Sequence, residues 1–237
     1  MKSIFYPASE RGHVQAGWLD SHHSFSFGHW YHPDKIHFGA LRVLNDDLVQ
    51  PGAGFGMHPH DNMEIVSIPL KGALLHQDST GNRGVIATGD VQIMSAGTGI
   101  MHSEYNASRT EPVSFLQIWV LPGVRNIKPV YSQKTFQAAD RVNRWQTIVS
   151  PDEKDGAVWI NQKARFALAS LDKAMEIPYH TKFTGNAIYF FVVEGAVTIE
   201  GQRLIKRDAL GISGAGSVMI RAEEESNILA IEVPQLT

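Results

Sequence analysis

The chain contains no cysteine. Disulfides, thiolate metal sites and cysteine nucleophiles are therefore excluded. Any metal must be held by nitrogen and oxygen donors. No apolar run is long enough to span a bilayer. The start, MKSIFYPASERG, lacks the hydrophobic stretch of a secretory signal, so the expected location is cytoplasmic, with no membrane partner. Charge is also modest. Charged residues are 19% of the 237 and sum to a net −3. No basic run contradicts that balance, which argues against a nucleic-acid partner. Long helical periodicity is missing from the first half.

Short apolar runs between turns take its place. The 21 glycines and 11 prolines separate FGALRVLNDDLV, MEIVSIPLKG, GVIATGDVQIMSAG and PVSFLQIWVLP. These runs are rich in Val, Ile, Leu and Phe and predict strands. DSTGNRG at 78–84 is a hairpin-type turn. The rhythm predicts an all-β fold of barrel or sandwich type. It also repeats: 187–213 parallels 63–95, with Gly195 matching Gly72 and Asp208 falling where Asp90 does. Two similar β domains are expected, one over 1–125 and a second, with a linker, over 126–237. LPGVRNIKP and SPDEKDG have linker composition, and a short helix is expected within YSQKTFQAADRVNR.

Two segments carry the chemistry. GMHPHDNME places His58 and His60 two residues apart, and GIMHSEYN repeats the spacing with His102 and Glu104. In a strand, residues i and i+2 share a face and lie about 6.6 Å apart. Neighbouring imidazoles can then converge on one ion. Pro59 pushes His58 into extended backbone and suits an edge strand. Three neutral nitrogens and one carboxylate suit Fe(II), Mn(II), Ni(II), Cu(II) or Zn(II), and leave two positions open on an octahedral ion. Glu64 shares the parity of His58 and His60, so it competes with Glu104 as the oxygen ligand. Six of the 11 histidines lie between His13 and His37; for most of these a surface or turn position is the expectation.

These residues carry a resemblance. Gly52, five residues, H-x-H and then Glu64 is similar to the first cupin motif. GDVQIMSAGTGIMHSEYN is similar to the second, with Asn106 four residues past His102. Ser95 stands where cupins usually have proline, and the loop to His102 is longer. Both departures, and WLDSHHSFSFGHWYHPD, resemble the bacterial branch of the pirin family, whose members are two-barrel cupins. The likeness implies the ligand set His58, His60, His102 and Glu104, with iron as the metal, and leaves Glu64 either a structural role or that of orienting an imidazole. It implies quercetin 2,3-dioxygenase activity: cleavage of a flavonol by O₂ with release of carbon monoxide. Glu104 would act as general base toward the flavonol hydroxyl. Phe55 and Met57 are candidate pocket walls. The second domain aligns Thr181 and Phe183 with His58 and His60, so a single metal is expected, in the first domain. The rival reading is a non-enzymatic, iron-dependent binding or regulatory module; an isomerase or another dioxygenase on the same scaffold is a third.

Overall fold

The computed structural model describes residues 1–236, and among these the regular structure is 22 strands and three short 3₁₀ turns. No helix among them is long and apolar enough to cross a membrane. The strands form two cupin barrels of one plan, each a seven-stranded sheet facing a four-stranded one. In the first barrel the large sheet runs Val130–Thr135, Asp90–Ser95, Glu64–Lys71, Val113–Val120, Leu41–Val49, Leu19–His23, Gly12–Gln15. The small sheet runs Gly54–His60, Ile100–Asn106, Ala73–Asp78, Arg83–Ala87.

Side-chain patterning explains this layering. Ala73–Asp78 and Ser217–Ala222, on the small sheets, alternate between buried and open positions. Such strands present one face to water. Glu64–Lys71 and Asn186–Glu194, at the centre of the large sheets, are buried almost without interruption. One face of each lines its own barrel; the other packs against the opposite barrel. Ile68, Val91 and Leu116 of the first barrel share one core with Phe166, Tyr189 and Leu229 of the second. The second barrel's interior is filled by its own apolar set, including Tyr179, Phe190, Leu204 and Ile220.

The internal repeat has a physical basis. Gly72 (φ 81°) and Gly195 (φ 85°) each turn the chain from the large sheet into the small one, a conformation that glycine adopts without a Cβ penalty. Asp90 accepts from the backbone N–H of Ala87, and Asp208 from that of Ile205, so each closes the turn three residues back.

Two strands cross the 125/126 division. Lys2–Tyr6 pairs with Ala209–Ser213 in the second barrel. Val130–Thr135 pairs with Asp90–Ser95 in the first. The helix expected in YSQKTFQAADRVNR is instead the end of this strand followed by a single 3₁₀ turn, Ala138–Arg141. Ladder pairing with Asp90–Ser95 supplies hydrogen bonds that an isolated short helix could not match.

Candidate metal centre

Three strands of the first barrel's small sheet assemble the site. Ile100–Asn106 lies between Gly54–His60 and Ala73–Asp78. His102 is directly opposite His58 on one side and Asp78 on the other; Glu104 is opposite His76. Opposite Gly54–His60 the register slips, so that Glu104 faces Phe55 rather than the residue two before His58. This bulge puts an extra residue between Phe55 and His58. Phe55, His58 and His60 therefore share the cavity wall, while Met57, 49% exposed, points to water. Of the two expected wall residues, Phe55 is one and Met57 is not. Gly54 is required by close approach: a Cβ there would lie 2.3 Å from the carbonyl oxygen of Glu104.

The imidazoles of His58, His60 and His102 converge. Ring centroids are 4.8 Å apart for His58–His60, 4.4 Å for His58–His102 and 4.9 Å for His60–His102. One donor atom from each lies within 4.8 Å of the others. Nδ1 of His58 is 2.7 Å from the carbonyl of Gly56. A carbonyl only accepts, so Nδ1 carries a proton and Nε2 is the nitrogen left for a metal. Burial, then the neighbouring His58, lowers His60 from 6.5 to about 4. Burial, then His58, His60 and His76, lowers His102 to about 2. Both rings are neutral at pH 7, the form that binds a metal. Nδ1 of His102 is buried without a hydrogen-bond partner. A divalent metal fits this donor set.

Glu104 stands deeper. It is 2% exposed and belongs to a second, overlapping group with His76 and His102. Its Oε1 accepts from Ser67 Oγ at 2.9 Å and its Oε2 from Gln117 Nε2 at 2.6 Å. Burial raises its pKa, and the two hydrogen bonds and nearby histidines oppose that rise. Glu64 is elsewhere. Its Oε2 accepts from Ser95 Oγ at 2.6 Å and from the backbone N–H of Asn161 at 3.0 Å. It orients no imidazole; it ties the first barrel to the segment entering the second. Ser95, in the position where proline was expected, supplies the donor.

His76 escaped sequence reasoning. It is 1% exposed, with Nε2 3.3 Å from Asp78 Oδ2 and Nδ1 unpartnered. An H-x-D spacing in HQDSTGN carried the signal, but Asp78 also caps the turn through Thr80 and Asn82, and the turn reading absorbed it.

The site opens on a cavity of about 200 Å³. Leu19, Phe27, Phe55 and Trp119 supply apolar wall, and Trp119 stands edge-on to His60 at 4.9 Å. The polar wall was not foreseen: His23, Asp47 and Gln117, from strands far apart in sequence. Asp47 is 4% exposed, and burial pushes it from 3.8 to about 7 despite a hydrogen bond from Ser21. Among the six early histidines, His23 is buried and His29 lines the cavity mouth, whereas His13 and His37 are exposed. His58 and His60 also border an open surface groove, which gives the centre a route to solvent.

Among the described residues the second barrel has no equivalent. On topology its Glu176–His180 corresponds to Gly54–His60, and Thr181 and Phe183 lie past its end. Tyr179 of that strand fills the interior and donates to Glu232 at 3.1 Å.

Comparison with known proteins bears on the family and the fold. The family pattern described as Pirin matches residues 6–120, and that described as Quercetinase C-terminal cupin domain matches 147–233. Quercetin 2,3-dioxygenase of Escherichia coli K12 is 42% identical over 230 residues, covering 96% of each chain. A pirin-like protein of Caulobacter vibrioides is 37% identical over 227 residues, covering 95% of this chain and 97% of its own. The crystal structure of the bacterial pirin YhhW from Escherichia coli in complex with nickel(II) superposes with a TM-score of 0.93 at 40% identity, covering 99% of this chain and 100% of that one.

Proposed function

The chain belongs to the pirin family of two-barrel cupins, and from that premise we propose that it is a metal-dependent dioxygenase that cleaves a flavonol with O₂ and releases carbon monoxide. The names of its relatives support an oxidoreductase, and the nickel complex of YhhW supports a divalent ion. The flavonol and the ligand set His58, His60, His102 and Glu104 are our reading. At this centre the metal is one divalent ion. Iron is what the resemblance implied; nickel is what YhhW holds, and an all-nitrogen-and-oxygen set accepts either.

One observation carries the proposal. An apolar-walled cavity ends on three converging imidazoles with a buried carboxylate behind them. When bound, the ion supplies Lewis acidity and a template for substrate and O₂. The remaining work falls to side chains. Glu104, once free of the ion, takes the proton of the flavonol hydroxyl, and burial raises its affinity for that proton. Ser67 and Gln117 hold the carboxylate in place. Phe27, Phe55 and Trp119 clasp an aromatic ligand and exclude water.

A second reading has its own observation. Tyr105, Leu75 and Val85 are cross-strand neighbours on the outer face of the small sheet, 40%, 44% and 51% exposed. Such a row suits a metal-dependent binding module. Metal-replete protein is expected to bleach quercetin aerobically and yield carbon monoxide, and His58→Ala and His102→Ala to abolish both. Metal-replete protein that does neither puts the binding module first.

A further inference from the structure

We propose a second divalent-metal site, built by His13, Asp20 and His22 on the outer face of the hairpin Gly12–Gln15/Leu19–His23. It shares no residue with the centre already described.

The hairpin register creates it. His13 lies directly opposite His22, and Asp20 is two residues before His22 on the same face. Both rings reach one carboxylate oxygen: Asp20 Oδ1 is 2.8 Å from His13 Nε2 and 3.6 Å from His22 Nδ1. One donor atom from each residue lies within 4.8 Å of the other two. Tetrahedral bonds of about 2.1 Å require donors about 3.4 Å apart, a spacing reached here by small rotations of side chains. The site is open, with His13, His22 and Asp20 side chains 48%, 42% and 33% exposed. An ion enters from water and keeps water in its fourth position.

Competing explanations are weak. The imidazoles stack at 4.3 Å with an interplanar angle of 15°, an arrangement that repels if both are protonated. An exposed His–Asp contact adds little stability by itself. Arg11, a nearby cation, is engaged by Asp46 and by the carbonyl of His22. Two imidazoles and one carboxylate favour Zn(II), Cu(II), Ni(II) or Co(II).

The location gives the site a consequence. Gly12–Gln15 is the last strand of its sheet, with one neighbour. The opposite face of the hairpin, through Val14, Leu19, Ser21 and His23, is a wall of the inner cavity. An ion on His13, Asp20 and His22 fastens the edge strand to its neighbour and braces that wall.

The test is equilibrium dialysis of chelator-treated full-length protein against Zn(II), with circular dichroism as the check on folding. Wild type is expected to take two ions. The pair His58→Ala/His102→Ala keeps one, His13→Ala/His22→Ala keeps one, and all four substitutions together keep none. In the His58→Ala/His102→Ala protein, Zn(II) is expected to slow amide exchange across Gly12–Gln15. A single ion in wild type overturns the proposal. So does an ion in the His58→Ala/His102→Ala protein that survives His13→Ala/His22→Ala, and unchanged exchange overturns the bracing.

Discussion

Replacing Asp47 with asparagine isolates one buried charge in the cavity wall. In the folded protein its pKa is raised from 3.8 to about 7, chiefly by burial, with Asp46 and Glu104 adding to the rise. The unfolded chain releases this proton near pH 4; the native protein keeps it until about pH 7. Its contribution is therefore fully present below pH 4 and is lost as pH rises through 7. At about 1.4 kcal/mol per tenfold change in acidity, the loss amounts to about 4 kcal/mol at pH 7 and above. Asparagine mimics the protonated acid and still offers Oδ1 to Ser21. His60 and His102 act in the opposite sense: their lowered pKa values give stability that is lost as pH falls below 6.5. Those groups are common to both proteins and cancel in the difference. Urea unfolding of metal-free wild type and Asp47→Asn from pH 4 to 9 is expected to give a gap in the variant's favour. It grows from a small offset near pH 4 to a plateau of about 4 kcal/mol above pH 7. A gap that does not change with pH refutes the burial argument.

Other perturbations separate ligand from scaffold. In a His13→Ala/His22→Ala background, Glu104→Gln is expected to abolish metal-induced stabilisation, which at an ion concentration 100 times Kd is about 2.7 kcal/mol for one site; thermal unfolding with and without the ion measures it. Glu64→Gln is expected to keep that increment and to lower metal-free stability by about 1–3 kcal/mol, because a neutral amide oxygen accepts from Ser95 and Asn161 more weakly than the carboxylate oxygen does, and the amide nitrogen takes the partnerless Oε1 position with no acceptor to meet it. The reverse order of metal effects moves the carboxylate ligand to Glu64. Gly97→Ala puts a Cβ 2.0 Å from the carbonyl oxygen of Ile127 at φ 49°; a loss of at least about 2 kcal/mol in urea titration is expected. Arg207→Ala removes the 2.7 Å ion pair with Asp46 between the barrels and is expected to cost about 1–3 kcal/mol in the same measurement.

What could be read without coordinates follows from the range of the interactions involved. His58, His60, His102 and Glu104 stand out because the strand period of two is local. So do Gly72 and Gly195, since positive φ is demanded by the turn itself. The choice between Glu64 and Glu104 depended on what lies between His60 and Glu64, and the chain turns there: Asn62 has φ 44°. Parity across a turn carries no information about facing. The bulge between Phe55 and His58 arises from pairing with Ile100–Asn106, some 45 residues away, so Met57 was misread. Asp47 and Gln117 are directed at the cavity by the large sheet, and nothing near either in sequence marks them. Lys2–Tyr6 joins Ala209–Ser213 over the longest separation of all, which no local pattern encodes.

The two barrels show what a reactive interior requires. Ten buried side-chain polar atoms among the described residues lack a partner, and nine belong to residues 11–119. His102 Nδ1, His76 Nδ1 and Glu64 Oε1 are among them. Each such group costs about 1–3 kcal/mol relative to a satisfied one, and depressed imidazoles add a penalty at acid pH. The second barrel buries a carboxylate too, but Glu232 accepts from Tyr179, Lys182 and Phe183 at 2.8–3.1 Å. Around it the second barrel's interior is filled largely by apolar side chains. One strand plan thus serves opposite ends: a satisfied core that stabilises, and a strained, partly polar one that can bind and react. The shared core around Phe166, Tyr189 and Leu116 couples them, so stability gained in the second barrel holds the first barrel's unsatisfied donors in place.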